Sequence, residues 1–173
     1  MHTVKVTDLP FGKFRDKGIP IDNVSNFSSD KEQLVYIASQ TELNLCPILF
    51  TTKQAMMKIV DGGEFDVAKR TVAATKLMEE DEVVSVVALK DQRNVVLQTR
   101  DGYFLRFPIE EVPEKKKGAV GVRGMKLSGT DVVEQVYYTK NAVETAIEYH
   151  DKKMVLNNLK PGKRDTKGTK VRF

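Results

Sequence analysis

The sequence predicts an all-β chain, a propeller-like array of four-stranded units about 50 residues long. Three observations predict it. Short β-branched runs recur at residues 47–52 (PILFTT), 83–89 (VVSVVAL), 94–99 (NVVLQT) and 131–137 (DVVEQVY), each bounded by turn formers. Two tight turns, Arg100–Tyr103 (RDGY) and His150–Lys153 (HDKK), join such runs into hairpins. Side-chain types also repeat at a fixed interval. Gly18, Gly118 and Gly168 each follow a lysine, Phe27, Leu77 and Leu127 are evenly spaced, and so are Tyr36, Val86 and Val136.

Each unit reads as strand, turn, strand, a short apolar-ended segment, a basic loop, a strand, an acidic turn and a last strand. The segments 7–10 (TDLP), 62–65 (GGEF), 110–113 (EEVP) and 157–159 (NNL) hold the apolar-ended place in the four copies. The blades are expected at 1–37 (partial), 44–90, 94–139 and 143–173 (partial), in one domain spanning 1–173. The first lacks its opening hairpin and the last its closing strands. That pattern is expected of a piece of a longer array, whose unpaired edges favour self-association.

Bulk properties narrow the function. A content of 40% hydrophobic and 30% charged residues describes a globular chain. No apolar run approaches the roughly 20 residues of a membrane span, and residues 1–10 (MHTVKVTDLP) lack the apolar stretch of a leader. The single cysteine, Cys46, excludes an internal disulfide and a cysteine-based zinc site, and suits a reducing cytoplasm. A net charge of +4 is mildly basic and points toward a polyanionic partner.

The third copy carries a distinctive pattern. Residues 99–112 (TRDGYFLRFPIEEV) lead into 117–127 (KGAVGVRGMKL) and then 131–133 (DVV). The match rests on Thr99, Gly102, Tyr103, Arg106, Pro108, Gly118, Gly121, Asp131 and Val133. This resembles a blade of the C-terminal domain found in the A-type subunits of DNA gyrase and topoisomerase IV. Weaker copies lie at 52–58 with 81–84, where Ala55 replaces the turn glycine, and at 16–21. The resemblance implies a β-pinwheel whose blades exchange strands, and duplex DNA bound and bent without sequence preference along the blade edges. It implies as partners the remainder of the topoisomerase's A-type subunit and the separate B-type ATPase subunit, in the bacterial cytoplasm at the nucleoid. ATP and magnesium are then used by other domains, and no cofactor is expected here. The Gln-Arg-Arg-Gly-Gly-Lys-Gly heptapeptide of gyrases is absent, its nearest counterparts being 114–118 (EKKKG) and 163–168 (KRDTKG).

Duplex DNA is a line of phosphates, and affinity comes largely from lysine and arginine neutralising them. Cations on one face suffice when no base is read. A common loop position would align Lys13, Arg15 and Lys17 with Lys69 and Arg70, then with Lys115, Lys116, Lys117 and Arg123, and finally with Lys163, Arg164 and Lys167. A solvated turn explains any one such loop equally well. Recurrence in four copies favours phosphate contact.

Other clusters read as structure. Residues 79–82 (EEDE) fall at the acidic turn, and His2 and His150 are isolated. Cys46, before Pro47, is expected to act as a small buried hydrophobe, and one residue of each pair Met56–Met57 and Tyr137–Tyr138 is expected in the core. Arg106 is open to phosphate or to an ion pair with Glu110 or Glu111. No acid–base pair, nucleophile, metal set or phosphate loop stands out, so catalysis by this chain alone is not expected. The rival to DNA binding is a protein-interaction module, whose mark would be an exposed apolar or aromatic patch.

Overall fold

The computed structural model describes residues 1–172. Its centre is two four-stranded antiparallel sheets. The first hairpin is β1 (Ile48–Thr52) and β2 (Met56–Val60), and β3 (Val83–Ala88) closes it on the β1 side. The second is β4 (Asn94–Thr99) and β5 (Tyr103–Pro108), closed by β7 (Val133–Thr139) on the β4 side. The fourth strand of each sheet comes from the following unit. Two-residue β6 (Val122–Arg123) pairs with β2, and β10 (Thr169–Lys170) pairs with β5. The orders β3-β1-β2-β6 and β10-β5-β4-β7 therefore show blades that exchange strands along the chain. A last hairpin, β8 (Ala146–Tyr149) and β9 (Lys152–Val155), is two-stranded and turns through His150 and Asp151, both at positive φ.

The strands are apolar on both faces because each sheet is packed on both faces. Leu49 and Met57 meet Val95, Leu97 and Phe107 between the two sheets. Ile48, Phe50 and Val60 point the other way, toward Met1, Tyr36 and Leu43. Val96 and Phe104 face the last hairpin through Met154 and Leu156. The layers thus run N-terminal segment, first sheet, second sheet, hairpin. Tyr138 crosses the central layer, its hydroxyl 2.8 Å from Ser85 Oγ, and burial pushes the phenol up to about 12. Both tyrosines of the pair are partly buried, Tyr137 on the opposite face with its hydroxyl donating to Gln98 (2.9 Å). Met57 is buried and Met56 half-buried, and Cys46 is half-buried against the first sheet's outer cluster.

The acidic turns work as turns. Asp81 is buried and accepts the N–H groups of Gln54 and Glu82, each at 2.9 Å. Asp131 does the same for Asp101 (3.0 Å) and Val132 (2.9 Å). Each ties the closing strand to its hairpin turn.

Residues 1–39 form no named strand among the described residues, only 3₁₀ turns at Val6–Asp8 and Ile21–Asn23. Their start is tied to residues 70–72. The N-terminal amine donates to Val72 O (2.9 Å), and Thr3 N–H donates to Arg70 O (2.9 Å). Residues 33–38, the counterpart of β3 and β7, run without a paired strand.

Candidate nucleic-acid interface

The basic loops are seated on the sheets by one device used twice. After the first hairpin, Glu64 accepts the N–H of Lys117 (2.9 Å), and Lys117 Nζ donates back to Glu64 O (2.8 Å). After the second, Glu111 accepts the N–H of Arg164 (2.8 Å), and Arg164 Nε donates to Glu111 O (3.0 Å). Both bonds span 53 residues. The Lys117 N–H, ahead of the Lys116 ammonium, holds the Glu64 carboxyl below its ordinary value. Parallel bridges Ile59–Glu114 and Arg106–Pro161 bring the loops in at the same register.

Just past each latch a glycine lies against backbone. A Cβ on Gly121 would stand 2.2 Å from Met57 O, and one on Gly168 would stand 2.5 Å from Phe104 O. Gly118, by contrast, has open space around it. The structural equivalent of Gly168 is therefore Gly121, which corrects the Lys-Gly match made on sequence. Hairpins and loops repeat at 47 residues, as from Glu64 to Glu111 and from Lys117 to Arg164. Only the closing strands keep the 50-residue step, as from Asp81 to Asp131.

Beneath the first loop lies a group that sequence reasoning passed over. Lys58 is 1% exposed, and its ammonium donates to Lys117 O (2.6 Å), Ala119 O (2.7 Å) and Lys116 O (3.2 Å). Burial lowers its pKa. A buried ammonium must fill its donors to offset desolvation, and here the loop's carbonyls fill them. Leu105 holds this register in the second sheet, and Arg106 beside it reaches the carbonyls of Asn157 and Leu159 instead. Arg106 thus spends Nη1 on these carbonyls, and among the described residues it has no ion pair with Glu110 or Glu111. The signal for Lys58 was a lone lysine inside the apolar run 56–60 (MMKIV).

The proposed rim cations fall into two groups. Lys117 and Arg164 are latches, and Arg123 is forked onto Asp165, whose carboxylate raises the guanidinium's pKa. Arg70 pairs with Asp8 (3.3 Å). Lys115 and Lys163 project into solvent, and Lys116 is 88% exposed with a 3.4 Å contact to Glu64. Lys167 lies 4.8 Å above the Tyr103 ring, with Lys170 on the same ring at 5.5 Å. Lys13, Arg15, Lys17 and Lys69 are exposed. Lys116 and Lys163 stand at matching places directly before the two latches, with Lys115 before the first and Lys167 after the second.

Three kinds of likeness agree with this geometry. The family described as "DNA gyrase C-terminal domain, beta-propeller" matches residues 47–90 and 93–140, one span for β1 to β3 and one for β4 to β7. The chain is 28% identical over 165 residues to the DNA gyrase A protein of Lawsonia intracellularis (strain PHE/MN1-00), covering 95% of this chain and 20% of that protein. It is 32% identical over 133 residues to the DNA gyrase A protein of Chlamydia pneumoniae, covering 75% of this chain and 16% of that one. The chain thus spans about a fifth or less of the curated relatives it matches. A crystal structure of the C-terminal domain of DNA topoisomerase IV superposes with a TM-score of 0.81 at 26% identity, over 96% of this chain and 53% of the other. A DNA gyrase A C-terminal domain shares the fold, with a TM-score of 0.70 at 20% identity over 90% of this chain and 53% of that one. With strand-exchanging blades and a family match that covers more than half of its residues, this chain belongs to the DNA gyrase C-terminal domain family.

Proposed function

We propose that the chain binds duplex DNA without sequence preference and bends it along the rim of its basic loops, as part of the A-type subunit of a type IIA topoisomerase. The observation that carries this reading is the pairing of a fixed loop with free charge. Glu64 and Glu111 latch two loops at one register, and Lys115, Lys116, Lys163 and Lys167 are left outward. Ordered loops present cations at little entropic cost, and phosphate needs charge rather than a base-reading element. A curved rim makes DNA deformability the source of any preference. In the whole enzyme the partners would be duplex DNA, the rest of the A-type polypeptide and the B-type ATPase polypeptide, at the bacterial nucleoid. ATP and magnesium would be handled outside this chain.

Fluorescence anisotropy with a mixed-sequence duplex at several salt concentrations tests the reading. Engagement of the four outward lysines predicts log affinity falling with log salt at a slope of roughly −3 to −4. Flat salt dependence, or no binding at low salt, would remove it.

The interaction-module reading retains one observation. Phe11 and Phe14 are fully exposed, and of the twelve large exposed hydrophobics among the described residues, nine lie within residues 6–45. That concentration is at the opposite end of the chain from the last two loops, so it bears on a different contact.

A further inference from the structure

We infer, resting on the DNA reading, that Arg123, Lys126 and Arg164 form a phosphate seat where the second loop meets the exchanged strand β6, and that the carboxylate of Asp165 fills this seat in cis and masks it from DNA. The guanidinium of Arg123 forks onto Asp165: Nε donates to Oδ1, and Nη2 donates to Oδ2 at 3.2 Å. Arginine takes two oxygens of a phosphate with the same two-point geometry.

The main chain sets both partners in place. Asp165 N–H donates to Gly124 O (2.8 Å), and Lys126 N–H donates to Thr166 O (2.9 Å). Arg164 Nη1 donates to Arg123 O (2.7 Å). Three cations act on the one carboxylate: Arg123 first, then Lys126 and Arg164, hold the Asp165 carboxyl below its ordinary value. The fork is open to solvent, with the side chains of Arg123 and Asp165 54% and 35% exposed. A pair this exposed adds little to stability. It does cancel one cation on the rim.

The repeat marks the carboxylate as an addition to the site. By the 47-residue step Arg123 corresponds to Lys76 and to Lys170, so each exchanged segment carries a cation at this position. Asp165 corresponds to Gly118 in the first loop and to Thr71 before it. The pair equivalent to Arg123 and Asp165 is thus Lys76 and Gly118, a cation with no carboxylate opposite, and Lys76 is exposed. Lys170 lies on the Tyr103 ring at 5.5 Å. Of the three strand-end cations, Arg123 is the one that a neighbouring loop holds by charge.

The test is anisotropy of the full chain with a labelled mixed-sequence duplex, from about 0.05 to 0.2 M salt, comparing wild type with Asp165→Asn and Asp165→Gly. Asp165 stands at φ +64°, which asparagine and glycine both accept, so circular dichroism should show the fold retained in either variant. Freeing one arginine for one phosphate should steepen the log–log salt slope by about one and raise affinity about three- to tenfold at roughly 0.1 M salt. In an Arg123→Gln background, Asp165→Asn should bring no such steepening. Glu114→Gln removes an exposed carboxylate from the first loop and should leave the slope as it is, which separates unmasking from a change of net charge. A folded Asp165 variant that matches wild type in slope and affinity overturns the mask while the DNA reading stands. So does a gain that survives in full without Arg123. A wild-type chain that binds no duplex at low salt removes the DNA reading, and the mask with it.

Discussion

The loops at 114–121 and 161–168 are built alike at one end and differently beneath. Both are held by a glutamate accepting a main-chain N–H 53 residues on, and both lay a glycine against the neighbouring strand. Under the first loop sits the ammonium of Lys58, filled by three carbonyls. Under the second, Leu105 holds that register and packs toward Gly162. The shared part sets where the loop sits, and it consumes the central cation of each loop. The variable part sets how firmly the loop is held. In the proposed reading, charge for a ligand comes from the flanking lysines, of which Lys116 also stands 3.4 Å from Glu64.

This comparison can be broken most severely at its buried parts. Gly121→Ala forces a methyl group into Met57 backbone and should cost about 3 kcal/mol or more by denaturant unfolding. Gly118→Ala, in open space, should stay within about 0.5 kcal/mol. Equal effects would mean that the 47-residue register is wrong. Lys58→Ala strips three carbonyls of their donor and should cost about 2–4 kcal/mol, with faster amide exchange through residues 116–119. Exchange unchanged there would show that the loop does not depend on it. Glu64→Gln and Glu111→Gln weaken a charge-assisted bond to one N–H each and should lower stability less than Lys58→Ala does, nearly additively because they serve different loops.

Acid sharpens the same point with a smaller effect. The Glu64 and Asp165 carboxyls sit below their ordinary values of 4.5 and 3.8, held there chiefly by the Lys117 N–H and the Arg123 guanidinium. A depressed carboxyl pKa adds stability that is present above the unfolded value and fades as pH falls through the folded one. Melting temperature should therefore drop below about pH 4.5, and Glu64→Gln should flatten part of that drop. A wild-type profile unchanged by the substitution would show that Glu64 makes no such contribution.

Much of this architecture was legible in the sequence. Apolar runs and turn chemistry place the β4–β5 and β8–β9 hairpins, and the β1–β2 hairpin follows as a weaker copy of the repeat, with Ala55 where the turn glycine would stand. The repeat was legible too, but not its step. Lys-Gly recurs at Lys117–Gly118 and Lys167–Gly168, yet the glycine that geometry requires in the third copy is Gly121. Composition cannot distinguish a glycine in open space from one pressed on a carbonyl. Nor can it separate a latch from a free cation, since Lys115 and Lys117 differ only in what Glu64 reaches. Lys58 was passed over because a local run says nothing of a loop arriving from 58 residues downstream. The segment at 33–38 has a strand's composition and no strand's bonds, because pairing is a property of two segments.

The central claim is that the outward lysines, and not the latches, meet DNA. Anisotropy with a labelled duplex at about 0.1 M salt, comparing Lys115→Glu/Lys116→Glu with Lys117→Gln, addresses it directly. The account predicts that the double reversal lowers affinity by about tenfold or more and shallows the salt slope by roughly two, with the fold retained by circular dichroism and some stability lost because Lys116→Glu sets a carboxylate beside Glu64. Lys117→Gln should instead lower stability and leave the slope intact. Unchanged affinity in the folded double variant would contradict the account.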